Sequence, residues 1–344
     1  MNAPDLWTGP ETHPASAEPA GTAGFQPARA TLPLTVTTLR FTLRALDPVR
    51  LPAFAGSTLR GAIGRALRTL TCLTGAPDCA GCPVFNRCAY AGVWLADSPA
   101  KGALDAAGTA PSAEPPGRPT PLDDRSNRDA HASPPYIVVP PMWTGHPTRL
   151  APGDLFGFRL HLFDSSIRPE LWEAAVRAAA LNGFAEGRGR MTTTATIEPP
   201  ARPLLDDSGP WRQTVRLHFV TPLHIKADRQ RLDRFDPVAF TRRLTARVEH
   251  LLSRYGSGPS PFEPEALADL AASCPIVEQN IQPVSDHRVS DRQGRTIPIT
   301  GFVGHATLAD VPRPVRQLWR LAETLHAGKG APMGLGHVRV TEVA

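Results

Sequence analysis

Lysine is scarce in this sequence. Three of its 37 basic residues are lysines (Lys101, Lys226 and Lys329), and the skew comes with 38 prolines and abundant alanine, which a GC-rich genome explains better than a function does. No basic segment followed by an apolar one opens the chain, and no run of 18 apolar residues occurs in it. Neither export nor membrane spanning is therefore indicated, and the expected compartment is the cytoplasm. There is no HExxH, no GxSxG and no Walker lysine motif. The acidic pairs Asp123–Asp124 and Asp206–Asp207 fall in proline-rich or glycine-containing loops, whereas a two-metal nuclease needs carboxylates converging on ordered elements. No histidine stands between His13 and His131.

What is present fits a two-domain globular protein. The chain has 344 residues and a formal charge of +5, with a pI of 9.2, a balance suited to an acidic partner. Residues 1 to 31 and Ser98 to Ser133 are rich in small residues and proline and lack periodicity, so they read as flexible polymer.

Between them the chain repeats one pattern. Leu34 to Leu46 alternates apolar and polar residues, the period of a half-buried strand. The segment from Gly56 predicts a helix with Leu59, Ile63, Ala66, Leu67 and Leu70 on one stripe and Ser57 at its N-cap. Arg60, Arg65 and Arg68 project on the other side. Strands near Tyr136 to Pro140 and Asp154 to Asp164 follow. Then come a helix ending at Gly183, the FAEGRGR loop with Arg188 and Arg190, and a threonine-rich strand from Met191. The second half repeats this order: a strand from Gln213, a helix from Asp236, strands at Ile276 to Pro283 and Thr296 to Leu308, a helix from Pro312 to His326, a glycine loop and a last strand. Two βαββαβ units predict an α+β protein of two tandem ferredoxin-like domains, 32–200 and 201–344, with an insertion at 72–133 in the first.

Cys72, Cys79, Cys82 and Cys88 open that insertion in a C-x6-C-x2-C-x5-C pattern. Such clustering in the cytoplasm points to metal rather than disulfides: four thiolates suit structural zinc, and an iron–sulfur cluster is also compatible. Cys274 is remote and reads as a lone buried thiol. The glycine loop, HAGKGAPMGLGHVRV from His326, runs helix, glycines, strand. Nucleotide loops run the other way round, so Gly328, Lys329, Gly330, Gly334 and Gly336 point to contact with a polymer backbone rather than to a mononucleotide pocket.

The phrases LPAFAGSTLRGAIGRALRTL from Leu51, TPLHIK from Thr221 and HAGKGAPMGLGHV from His326 resemble the repeat-processing endoribonuclease family of CRISPR systems, within the repeat-associated mysterious protein (RAMP) superfamily. The resemblance implies a protein that binds CRISPR repeat RNA and cuts it within each repeat without metal. In that reaction a 2′-hydroxyl attacks the adjacent phosphate, which asks for a general base, a general acid and a cation. Many members carry a catalytic histidine on or near the first helix, and this chain has none there. That leaves the helix arginines, a histidine from elsewhere, or a protein that binds without cutting, as non-catalytic RAMP subunits of CRISPR effector complexes do. His224 and Lys226 leave the same face of extended chain and form the first acid–base candidate pair. His326 is the third candidate, although its helical angle toward Val315 and Trp319 suits packing. His337 and Arg339, on the outer face of the last strand, join the arginines and the loop as candidate RNA contacts.

Overall fold

The computed structural model describes residues 31–77, 79, 81–95, 134–165, 168–184, 189–203, 205, 209–227, 230–290 and 295–343. The expected tail before residue 31, most of the low-complexity insertion and Arg188 lie outside them.

The first unit begins with β1 (Thr37–Ala45), whose alternate residues Leu39, Phe41, Leu43 and Ala45 are buried while Arg40, Thr42 and Arg44 face away. A short strand β2 (Val49–Leu51) leads to α1 (Gly56–Thr71). This helix starts two residues earlier than a Ser57 cap requires: Ala55 is the N-cap and no side chain caps it. Leu59, Ile63, Ala66 and Leu67 are buried as the stripe predicts, but Leu70 is half exposed, because the chain turns away at Cys72. In the insertion a single helical turn at Phe85–Arg87 precedes α2 (Ala89–Trp94). Then come β3 (Tyr136–Val139), β4 (Thr148–Leu150), β5 (Leu155–Leu162), α3 (Pro169–Asn182) and β6 (Met191–Ile197). The sheet order is β3-β5-β1-β6 with every neighbour antiparallel, and β2 pairs β4 beside it.

The second unit contains β7 (Arg212–Leu223), two short strands β8 (Lys226–Ala227) and β9 (Gln230–Arg231), α4 (Pro237–Tyr255), α5 (Pro264–Ala272), β10 (Ile276–Ser290), β11 (Arg295–Pro312), α6 (Arg313–Arg320), α7 (Ala322–Leu325) and β12 (Val338–Glu342). Its sheet order, β10-β11-β7-β12, reproduces the first unit strand for strand. This is the ferredoxin-like α+β arrangement, twice. Asp236 caps α4 by accepting the Ala239 N–H at 2.8 Å, with Pro237 at the first turn. Differences from the sequence reading are local. The helix expected from Pro312 to His326 breaks at Leu321, the β10–β11 hairpin runs several residues further at its tip, and α5 is an added helix packed on α4.

One strand joins the units. All four residues of β3 are buried: Tyr136 and Val138 pack into the first unit's helices, while Ile137 and Val139 enter the second unit's core with Leu217, Phe219 and Phe302. A strand covered on both faces reads as a continuous apolar run, which YIVV is. A smaller cluster of Phe54, Ile299 and Leu335 adds a second seam. Arg316, fully buried, donates to Val311 O at 3.0 Å and Pro210 O at 2.7 Å, so its guanidinium ties the linker before β7 to the start of α6.

Candidate nucleic-acid interface

After α7 the chain turns at His326, whose φ of 54° ends the helix, and runs through Gly328, Gly330, Gly334 and Gly336, all with positive φ. The glycines are required by what lies against them. A Cβ at Gly336 would sit 1.7 Å from the Ala327 carbonyl oxygen, and one at Gly328 would sit 2.4 Å from that of His224. Most loop N–H groups are spent inside the protein: Lys329 N–H donates to His224 O at 3.0 Å and Gly336 N–H to Pro222 O at 3.0 Å. Those of Gly328 and Gly330 have no partner among the described residues, and both glycines are half-buried on either side of exposed Lys329. These two N–H groups flanking an ammonium are a candidate anion-binding nest.

The loop seats this nest on the segment that follows β7. His224 bonds through Nδ1 to Thr300, with Oγ1 at 2.9 Å and the carbonyl oxygen at 3.1 Å, so Nδ1 carries the proton toward the carbonyl. Burial pushes its pKa down, and the charges of Lys329, Lys226 and Arg231 add to that shift against the Thr300 bond. The ring is therefore neutral at pH 7, and its Nε2 is enclosed without a partner. Leu223 and Ile225 are buried and His224 and Lys226 half-buried, the alternation expected of this stretch. The structure thus brings His224, Lys226 and Lys329 together and adds Arg231. On its other side the loop meets the first unit: a Cβ at Gly334 would lie 2.5 Å from Val138 O, and one at Gly56, the first residue of α1, would lie 1.9 Å from Met333 O.

His326 is elsewhere. It is completely buried, accepts no solvent, and bonds through Nδ1 to Leu335 O at 3.2 Å. Its ring stacks on His337 with centroids 4.8 Å apart. Its pKa is driven well below the ordinary value by burial, then by His337, His161 and Arg247. A ring sealed in this way supports β12 and the loop from behind; it does not reach a substrate. His337 itself is pushed down to about 4 by burial and by Arg159 and Arg339, and His161, on β5, to about 3 by burial and by Arg159, His337 and Arg40. These side chains stand on the helix-free faces of the two sheets. Arg159 is half-buried and Arg339 exposed; the Glu198 carboxylate acts on the Arg159 charge without a hydrogen bond between them. Sequence reasoning missed Arg159, Arg40 and His161, although period 2 alone sets them opposite Phe158, Leu160 and Phe41.

The α1 arginines are committed within the protein. Arg60 Nε donates to the Tyr136 hydroxyl at 2.9 Å, and its guanidinium lies 5.0 Å from the Trp94 ring centroid. Arg68 donates to Ala76 O and Pro77 O, bracing the insertion, and Arg65 is exposed. Arg190 is clamped to Asp47 at 2.8 and 3.2 Å, which holds the Asp47 carboxyl down to about 2. Arg60, Arg68 and Arg190 thus each serve as structural ties, with Arg190 still exposed at the surface. Cys72, Cys79, Cys82 and Cys88 all line one pocket beside Arg68, but among the described residues no three metal-ligating side chains stand in a ligating arrangement. Cys274 is buried and bonded to Leu270 O, its thiol pushed up to about 11 by burial. No helix among the described residues is long and apolar enough to cross a membrane.

Two family models divide the chain: an N-terminal domain family (AF_1859_N) matches residues 33–208, and "CRISPR-associated endoribonuclease Cas6" matches residues 217–338. The chain belongs to the CRISPR repeat-processing RAMP family, and it is a CRISPR-associated RNA-processing protein. Among solved structures it is similar to a Cas6 product complex at 15% identity, covering 91% of this chain and 100% of the other with a TM-score of 0.48. It is similar to Thermus thermophilus Cas6 at 14% identity, covering 90% and 99% with a TM-score of 0.45. A partial Cas6-RT-Cas1–Cas2 complex matches at 10% identity and a TM-score of 0.49, over 90% of this chain and 46% of that one. No curated protein matches the sequence.

Proposed function

We propose that this protein binds precursor CRISPR RNA and cleaves it within repeats by metal-independent attack of a 2′-hydroxyl, with ferredoxin-like domains at 32–200 and 201–344 holding the RNA between them in the cytoplasm. The observation that carries the reading is the exposed Lys329 between the free N–H groups of Gly328 and Gly330, seated on His224 and Lys226. A phosphate in that nest would have its developing charge met by the ammonium and two backbone dipoles. Neutral His224 supplies a base and Lys226 a proton donor beside it, provided that RNA binding opens the enclosed Nε2.

That enclosure favours a second reading, in which the surface holds repeat RNA without cutting it, as a non-catalytic RAMP subunit among other CRISPR proteins. Incubating the full chain with repeat RNA in EDTA separates the two. Products ending in a 2′,3′-cyclic phosphate and a 5′-hydroxyl, lost in His224→Ala, support the enzyme; tight binding with intact RNA refutes it.

A further inference from the structure

We propose that the four cysteines of the insertion hold one zinc ion, and that this ion fastens the insertion to the first helix. The inference goes beyond the RNA-processing reading and does not depend on it.

The insertion is tied at its two ends, by Arg68 donating to Ala76 O and Pro77 O and by Trp94 stacked on Tyr136, while the turn between them has a small core. Among the described residues between Cys72 and Leu95 the buried apolar side chains are Phe85, Ala91 and Val93, while Leu73 is 87% exposed. A segment with so small a core of its own gains much from a metal staple. The thiols are already gathered. Cys72, Cys79, Cys82 and Cys88 line a single pocket, and the Thr74 hydroxyl lies between two of them, 3.9 Å from the Cys72 sulfur and 3.7 Å from that of Cys82. The backbone is folded as a ligand turn: Cys82 N–H donates to Cys79 O, with Gly81 between them at φ 71°, and Cys88 N–H donates to Phe85 O. No carboxylate or histidine lines the pocket, and a set of thiolates selects a soft tetrahedral cation. Zinc with four thiolates carries two negative charges, and Arg68, on the pocket wall, is the cation beside it. The thiols do not stand at ligating geometry in the present arrangement, so binding draws them inward and releases their protons.

The staple has a definite target. Cys88 is the N-cap of α2, and α2 ends in Trp94, which stacks on Tyr136 at 4.8 Å and lies under Arg60. Trp94 packs so closely on α1 that a Cβ at Gly64 would sit 2.3 Å from its ring. Fixing Cys88 therefore fixes the tryptophan against the helix whose first residue touches the glycine loop.

The test uses the full chain purified in metal-free buffer. About one zinc per chain is expected, and Co(II) in its place should give the intense visible bands of tetrahedral thiolate coordination. Both should be lost in Cys79→Ser/Cys82→Ser and kept in Cys274→Ser. Should the double variant fail to fold, thiol alkylation of the wild-type chain decides: four cysteines protected by zinc and exposed by chelator support the site. Equal alkylation with and without zinc, or no cobalt bands, overturns it. Iron with a broad charge-transfer spectrum overturns zinc in favour of a cluster. None of these readouts involves RNA cleavage.

Discussion

Mild acid should destabilise this protein through two histidines at the seam between its sheets. His161 and His337 are held neutral, pushed down from 6.5 to about 3 and about 4, by burial and by neighbouring arginines. A histidine whose folded pKa is depressed contributes stability above its unfolded value, and that contribution is lost as pH falls toward the folded one, because the unfolded chain binds the proton first. At about pH 5 the unfolded ring lies about 1.5 units below its midpoint while the folded ring is still neutral, which is about 2 kcal/mol for each histidine and about 4 kcal/mol for both. That is a large part of the stability of a typical domain. The assay is urea unfolding at about pH 7 and about pH 5, on the wild type and on His161→Gln/His337→Gln. The wild type should lose about 4 kcal/mol more than the variant across that interval. Glu249, whose pKa burial raises, opposes the loss but is present in both proteins and cancels in the difference. Parallel profiles for the two proteins would refute the argument.

Lys329→Ala should reduce the salt slope of repeat-RNA binding by about 0.7, the loss of one phosphate contact on a single strand. Gly336→Ala should destabilise the chain by about 2–4 kcal/mol in urea unfolding, combining a left-handed non-glycine residue with a Cβ placed 1.7 Å from Ala327 O. Trp94→Ala should cost about 3 kcal/mol and release Arg60, read as a lower thermal midpoint.

Most of the architecture was legible because each unit obeys its local period. FTLRAL alternates, so Phe41, Leu43 and Ala45 had to face a core; AFTRRLTARVEHLL carries its stripe at helical spacing, and Phe240, Leu244, Val248 and Leu251 are wholly buried. α5 was missed because its pattern is short and alanine-rich, and its burial depends on α4 lying alongside. The site was legible only in part. Lys329 and the glycines could be singled out by composition, and Lys226 by its spacing from His224. That His326 is sealed, that Arg60 serves Trp94 and Tyr136, and that Thr300 orients His224 are facts of tertiary contact between residues far apart in sequence. The second glycine segment, FAEGRGR, looked equivalent to the first, yet Gly189 packs on Pro48 and Arg190 on Asp47, so its described part acts as a brace.

The glycine loop also has a kinetic meaning. It touches Gly56, Val138 and His224 at once, so its contacts close some of the longest chain separations in the molecule. Contacts of that kind form late, after each sheet and its helices have condensed, and they are held by backbone approach rather than by a large apolar surface. On warming, the nest around Lys329 should therefore come apart before either core does, and the protein should lose its grip on RNA at a temperature where its helices are still intact.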